Sequence, residues 1–286
     1  VTSLKQGVAS ATLTLRDAGV PSPEADALAL AAHVLGVDAS EVRRRVVMGD
    51  ELDAVVSQRY AALLSERAAR VPLQHLTGRA HFRHLTLEVG PGVFVPRPET
   101  ELAAGLAITA GATAGESPIV VDLCTGSGAI ALSVAKEAPT STVYAVELSP
   151  EAHAWAQRNV EATGLAVELS LGDATTAYPE LEGRVDVVVS NPPYIPVGMV
   201  PLDPEVRDHD PQVALYGGSD DGLAIPLAVA ARAAALLRPG GVLVMEHADT
   251  QGATLPESLR RNGNWTDVVD HVDLNGRPRA TVATRA

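Results

Sequence analysis

Val185-Asp186-Val187-Val188-Val189-Ser190-Asn191-Pro192-Pro193-Tyr194 decides how this chain is read. The first six residues are a short β-branched run of the kind that forms a buried parallel strand. Two prolines then end it, because proline offers no N–H to a ladder and fixes φ. The residue before proline is also pushed toward extended backbone, so Asn191 is held at the carboxyl end of a strand. Open α/β sheets place their ligands there. A planar amide, a carbonyl free of the ladder and an aromatic ring suit the gripping of a planar NH2-bearing group.

Working outward, short apolar runs recur at 119–123, 143–147, 167–171 and 241–246, with helical patterns between several of them. That alternation predicts a Rossmann-like, mostly parallel, doubly wound α/β sheet. Strand-like 267–274, an Asn275-Gly276 turn and strand-like 280–283 predict an antiparallel edge. Upstream, residues 1–76 read as a small N-terminal helical bundle. Ser22 and Pro23 are placed to open one helix and Gly36 to end it. Asp38-Ala39-Ser40-Glu41 resembles a capping box, and Leu52, Val55, Val56, Leu63 and Leu64 mark the apolar face of a longer helix. Between bundle and sheet, residues 77–98 read as a β-hairpin linker, with Leu85, Leu87 and Val89 alternating before a Gly90-Pro91-Gly92 turn and a second strand at Val93-Phe94-Val95. The sheet-forming domain then occupies 99–286. Residues 195–222 form a connection too long for an ordinary loop and predict a lid or docking segment beside Tyr194.

Composition narrows the function. A chain of 286 residues with 46% hydrophobic content supports globular cores. No uncharged apolar run reaches spanning length, so no membrane partner is expected. The start carries no charged-then-apolar leader, and a single cysteine, Cys124, fits a reducing cytoplasm. The formal charge of −13 argues against a surface that coats phosphate backbones, so no direct nucleic-acid substrate is expected.

Asp122-Leu123-Cys124-Thr125-Gly126-Ser127-Gly128-Ala129 follows the first strand and opens a helix, with glycines that let the backbone approach a ligand. Taken alone it also satisfies a dinucleotide fingerprint, and Glu147 at the end of the next strand suits a ribose diol in either case. Gly172-Asp173-Ala174 follows the third strand, where a carboxylate or backbone group can meet an adenine amino group. Asn191 follows the fourth, and no hydride-transfer constellation comes after it. The cofactor expected is therefore S-adenosylmethionine, leaving as S-adenosylhomocysteine, rather than NAD.

Bland readings cover the remaining chemistry-bearing residues. His75, His81 and His84 surround the hairpin without a cysteine or carboxylate set, so no metal is expected. Cys124 lacks an identifiable paired histidine, so it is not expected to act as a nucleophile. Arg43-Arg44-Arg45 reads as a solvated helix face, Asp220-Asp221 as a turn, and Trp155 and Trp265 as packing residues.

The chain resembles the release-factor glutamine methyltransferases of the PrmC/HemK type. The likeness is carried by the helical N-terminal region, Gly92-Val-Phe-Val-Pro-Arg-Pro-Glu-Thr-Glu101 and Asp122–Ala131. It continues through Ser190-Asn-Pro-Pro-Tyr-Ile195, Asp210-Pro-x-x-Ala-Leu215 and Gly217-Gly-x-Asp-x-Gly222. Asn-Pro-Pro-Tyr by itself is shared with amino methyltransferases of adenine and guanine. The Pro-Arg-Pro-Glu-Thr-Glu and Pro-x-x-Ala-Leu segments narrow the resemblance.

It implies a class I methyltransferase fold and methyl transfer to the side-chain amide nitrogen of glutamine in the Gly-Gly-Gln loop of peptide chain release factors. Carried over by position, Cys124, Thr125, Gly126, Ser127, Gly128, Glu147, Ala174 and Asn191 contact S-adenosylmethionine, with Asp173 beside them. Asn191, Pro192, Pro193 and Tyr194 hold the substrate glutamine, and Asn191, Pro192 and Tyr194 carry catalysis. Two positions depart from the family pattern: Cys124 stands where glycine is usual, which predicts a negative φ there, and Ala174 where an aromatic residue is common. The competing readings are an amino methyltransferase of nucleic-acid bases and a non-enzymatic cofactor-binding scaffold.

Overall fold

Valine-rich runs that end in glycine, serine or acidic residues form the strands of one seven-stranded sheet in the computed structural model. The structure describes residues 2–286, with side chains from Ser3 onward. The chain divides into two compact units. One is the chain up to Arg79 together with Pro201–His209; the other is Ala80–Val200 with Asp210–Ala286.

In the first unit, helices α1 (Leu4–Asp17), α2 (Pro23–Leu35), α3 (Ala39–Met48), α4 (Ala54–Ala68) and α5 (Leu73–Thr77) enclose a core of Leu4, Leu15, Leu30, Val42 and Tyr60. Asp38 accepts the Glu41 N–H at 2.8 Å, but the Glu41 carboxylate turns to Arg44 and Arg45 instead of closing the capping box. Ser22 makes no side-chain cap bond, so Pro23 alone opens α2, and Gly36 ends it in the left-handed region. Of the expected apolar face, Leu52, Val56, Leu63 and Leu64 lie in or against the core and only Val55 does not. Asp53 caps α4, Leu52 pairs with Thr2 in a two-residue ladder before it, and Val55 is exposed. The most buried positions of α4 are Tyr60 and Arg67, which the apolar pattern did not mark.

In the second unit, the strands are β1 (Arg79–Phe82), β2 (Leu85–Glu88), β3 (Ile119–Leu123), β4 (Thr142–Glu147), β5 (Glu168–Leu171), β6 (Val185–Ser190), β7 (Leu237–Glu246), β8 (Trp265–Val272) and β9 (Pro278–Arg285). The large sheet runs β8-β9-β7-β6-β3-β4-β5, parallel from β7 to β5 and antiparallel at β9 and β8. Helices α6 (Thr100–Ala114), α7 (Ala129–Glu137), α8 (Pro150–Thr163), α10 (Ala224–Leu236) and α11 (Thr254–Arg261) belong to this unit. Two cores form, one around Val120, Val187 and Ala104 and the other around Val121, Val188 and Leu236. Winding reverses at β3, whose neighbours are β4 and β6, and this is the switch point where a ligand crevice belongs.

The hairpin is formed by β1 and β2, not by Leu85–Val89 with Val93–Val95 as expected. Ala80 and Phe82 alternate inward to match Leu85 and Leu87, and Arg83 takes a left-handed φ of 48° in the turn. Residues 93–95 form no strand; Val93 and Val95 are buried with Ala80, Val89 and Ala152. Phe82, Leu85 and Leu87 join the sheet's core, so the hairpin packs as part of this unit.

Candidate active site

Parallel register brings three strand ends together. Leu123 at the end of β3 pairs with Val146 of β4 and with Ser190 of β6. Cys124, Glu147 and Asn191 therefore emerge side by side, and the buried Ser190 hydroxyl donates to the Leu123 carbonyl across the seam.

The glycine-rich turn is held from beneath by acids. Asp122 is fully buried; one oxygen accepts the Thr125 hydroxyl at 2.6 Å and the Ala131 N–H at 3.1 Å. Burial pushes its carboxyl up to about 7, against those hydrogen bonds and with some repulsion from Glu147. Glu147 accepts the Gly126 N–H and the Ser149 N–H, each at 2.8 Å. Asn159 of α8 donates to the Ser127 carbonyl at 3.0 Å while exchanging bonds with the backbone of Glu88, tying the hairpin to the turn. Thr125 N–H bonds the Val146 carbonyl and Gly128 begins α7.

Cys124 adopts a φ of +71°, the left-handed conformation that glycine favours, so the expectation of a negative φ is overturned. Its thiol is pushed up to about 12 by burial and by Glu147, which leaves it protonated and unreactive at neutral pH. Asp173 is exposed and spends one oxygen on the Thr175 N–H and hydroxyl, at 2.8 and 2.7 Å. Ala174 is buried in the core with Leu123 and Val146. These two residues are thus set apart from the Cys124–Glu147–Asn191 cluster in character: one is solvated and the other packed.

On the other side of the switch point, Pro192 is buried and Asn191, Pro193 and Tyr194 are half-buried. Asn191 Nδ2 donates to the Thr100 hydroxyl at 3.3 Å. The loop behind them is closely built. Ile195 N–H bonds the Leu215 carbonyl at 2.7 Å, and Gly217 N–H returns to the Ile195 carbonyl at 2.9 Å. A Cβ on Gly222 would lie 2.1 Å from the Tyr194 carbonyl oxygen, so only glycine fits there. Gln251 Nε2 donates to the carbonyls of Tyr194 and Asp221 at 3.0 and 2.9 Å. The Arg97 guanidinium lies over Phe94 and bonds buried Asp210 at 2.6 Å. The two segments that narrowed the sequence resemblance are therefore partners.

Thr100, Asp122, Asn159, Glu246 and Gln251 were not among the expected site residues. Glu246 ends an apolar strand as Glu147 does, which was a usable signal; Gln251 and Asn159 act on backbone groups remote in sequence and carried none. Among the described residues no cluster of histidine, cysteine and acids could hold a metal. Trp155 packs on Gly90 and donates to the Pro91 carbonyl at 3.1 Å, and Asp221 caps the turn before α10.

The turn also fits the expected cofactor. Gly126 has a positive φ and open space where a side chain would stand, and Glu147 is an acceptor already oriented by two backbone N–H groups. This sheet order, with such a cradle at its switch point, defines a class I S-adenosylmethionine-dependent methyltransferase. A methyltransferase from Pyrococcus furiosus shares the fold, with a TM-score of 0.51 at 20% identity, covering 80% of this chain and 98% of that one. Residues 7–78 match the PrmC N-terminal domain and residues 85–199 the methyltransferase small domain. The chain is 53% identical to a release factor glutamine methyltransferase of Streptomyces coelicolor, over 98% of this chain and 97% of that one. Its identity to the Mycolicibacterium smegmatis counterpart is 49%, over 100% and 99%. The chain belongs to the release factor glutamine methyltransferase family, and S-adenosylmethionine is its methyl donor. A further relative, 39% identical over 92% of this chain and 89% of its own length, is a 4-amino-L-phenylalanine/4-methylamino-L-phenylalanine methyltransferase of Streptomyces pristinaespiralis.

Proposed function

We propose that this chain methylates the side-chain amide nitrogen of the glutamine in the Gly-Gly-Gln loop of peptide chain release factors, in the cytoplasm. The observation that carries the reading is Asn191-Pro192-Pro193-Tyr194 held at the switch point beside the Gly126–Glu147 cradle. Identity to relatives named for that activity supports it across the whole chain. Cys124 to Gly128, Glu147 and Asn191 would hold S-adenosylmethionine, with Asp173 and Ala174 bordering its adenine end. When bound, it supplies an electrophilic methyl group on a sulfonium.

An amide nitrogen is a poor nucleophile because its lone pair is delocalised into the carbonyl. The Asn191 side-chain carbonyl and the Pro192 backbone carbonyl accept the two substrate N–H groups and so favour positive charge developing on nitrogen. Pro193 stiffens the segment, and Tyr194 packs against the flat amide and excludes water. The nitrogen becomes acidic as it is methylated, so no strong base is required. The helical unit, residues 1–76 with the ion-paired segment around Glu205, serves as the module that recognises the release factor. The hairpin and residues 99–286 supply the chemistry.

A second reading has one specific support. The relative named for 4-amino-L-phenylalanine acts on an aromatic NH2, which is planar like an amide. The test is radiolabelled methyl transfer to a purified release factor and its Gln→Ala variant, with 4-amino-L-phenylalanine, RNA and DNA in parallel. Label on the release factor, lost with the glutamine, is expected. Label on the small amine alone, or on nucleic acid, would overturn the assignment. No helix among the described residues is long and apolar enough to cross a membrane.

A further inference from the structure

Glu246 stands at the carboxyl end of β7 and is 2% exposed, yet its Oε2 has no hydrogen-bond partner. Such an orphan is costly unless the group has work to do. The groups that face it come from three elements: Glu99 and Thr100 at the start of α6, Tyr194 after β6, and Arg279 on β9. Thr100 is itself buried, and it receives the Asn191 Nδ2–H. The methyl-transfer reading needs the Asn191 amide to show its oxygen, not its NH2, to the substrate.

We infer that Glu246, acting through Thr100, is the positioning residue that fixes which way the Asn191 amide faces. An ionised carboxylate can only accept hydrogen bonds, so the single Thr100 hydroxyl proton points to Glu246. The Thr100 oxygen then offers only lone pairs to Asn191, which must turn its NH2 toward Thr100 and leave Oδ1 for the substrate N–H. Tyr194 faces the same carboxylate, so one acid adjoins two members of the tetrapeptide's grip. Protonation reverses the relay. A carboxylic acid can donate to Thr100, the Thr100 proton becomes free to turn to Asn191, and the amide can flip its oxygen away from the substrate.

Burial raises the Glu246 carboxyl to about 7, with Thr100, Arg279 and Tyr194 pulling down and Glu99 pushing up. The switch therefore falls near neutral pH. The inference rests on the proposed role of Asn191, and the experiment separates the two. Methyl transfer to a release factor is measured against pH for the wild type and for Glu246→Gln, Thr100→Val, Thr100→Ser and Asn191→Ala. Cofactor affinity and melting temperature are recorded for each to exclude unfolding.

The wild-type kcat should rise through roughly pH 6–8 as Glu246 ionises. That rise should be absent in Glu246→Gln, in which nothing titrates at this position. Asp122, also raised to about 7, is common to both, so the difference between the profiles reports Glu246. Thr100→Val should lower kcat by about 10²-fold with little change in KM for the release factor, and Thr100→Ser should restore most of it. Full activity in Thr100→Val, or a wild-type pH profile in Glu246→Gln, would overturn the relay while an inactive Asn191→Ala left the glutamine grip standing. An active Asn191→Ala would remove the foundation of both.

Discussion

The acids clamped in the helical unit and the acids lining the candidate site are buried by opposite means. In the helical unit Glu205, at the start of α9 (Pro204–His209), meets Arg67 at 2.7 Å and Arg70 on both its oxygens, and Arg67 also takes Asp26 at 2.8 Å. Burial alone would raise the Glu205 carboxyl, but the bonds from Arg70, Asp203 and Arg67 win and hold it well below the usual range. At the candidate site Asp122 and Glu147 are met by backbone N–H groups and a hydroxyl, and Glu246 faces Thr100 and Tyr194 with no guanidinium bonded to it. There burial wins, and Asp122 and Glu246 are raised to about 7. A guanidinium fixes charge and position; a hydroxyl or amide leaves the acid able to respond to a ligand or a proton. The difference separates a clamp from a site.

The largest effect should come from breaking the clamp. Arg67→Ala leaves Asp26 and Glu205 buried without their shared partner, which costs about 3–5 kcal/mol. A matching fall in stability by urea titration is expected, and a loss below about 1 kcal/mol would mean water replaces the arginine. The pH signatures should also be opposite. Glu205, depressed in the folded state, contributes stability above its ordinary range and loses it as pH falls. Glu246 and Asp122, raised in the folded state, contribute stability at low pH that is lost as pH rises through about 7.

Asn191→Ala comes next, on the catalytic side. By analogy with removing one oxyanion donor it should cost about 2.7–4 kcal/mol of transition-state stabilisation, read as kcat for methyl transfer. Stability should barely change, since Asn191 is half-buried and its side-chain bond to Thr100 is long at 3.3 Å. An inactive but also unstable variant would make Asn191 a structural residue instead. Glu147→Ala should follow, weakening S-adenosylmethionine by roughly 1.5–3 kcal/mol through loss of a charged acceptor. Titration calorimetry reads it directly, and unchanged affinity would mean that Glu147 only braces the turn through Gly126 and Ser149.

How much of this was legible in sequence follows the same division. Strands β3 and β6 were readable to the residue, since valine runs closed by glycine or proline have sharp ends. The cradle was readable because backbone function shows as glycine. The clamp was not: Arg67 sits on a helix face where pattern reading looks for leucine, and its partners lie 41 and 138 residues away along the chain. The hairpin was misplaced by one strand because the Arg83-His84 turn carries neither glycine nor asparagine, whereas Gly90-Pro91-Gly92 does. The relay behind Asn191 was hidden for a similar reason. Thr100 and Glu246 belong to segments with good helix and strand readings of their own.

Cys124→Gly probes the backbone-built half of the site with the smallest change. At φ +71° a side chain carries left-handed strain of about 1–2 kcal/mol, which glycine relieves. Glycine also gives the unfolded chain more freedom, costing about 0.4–1 kcal/mol. The thiol's packing against the β3 core is lost as well. The terms nearly cancel, so the variant should be more stable by no more than about 1 kcal/mol. Cofactor affinity should stay level, because Gly126, Gly128 and Glu147 keep their positions. A clear loss of affinity would show that the sulfur touches the ligand, and this half of the site would then depend on a side chain as the Asn191 half does.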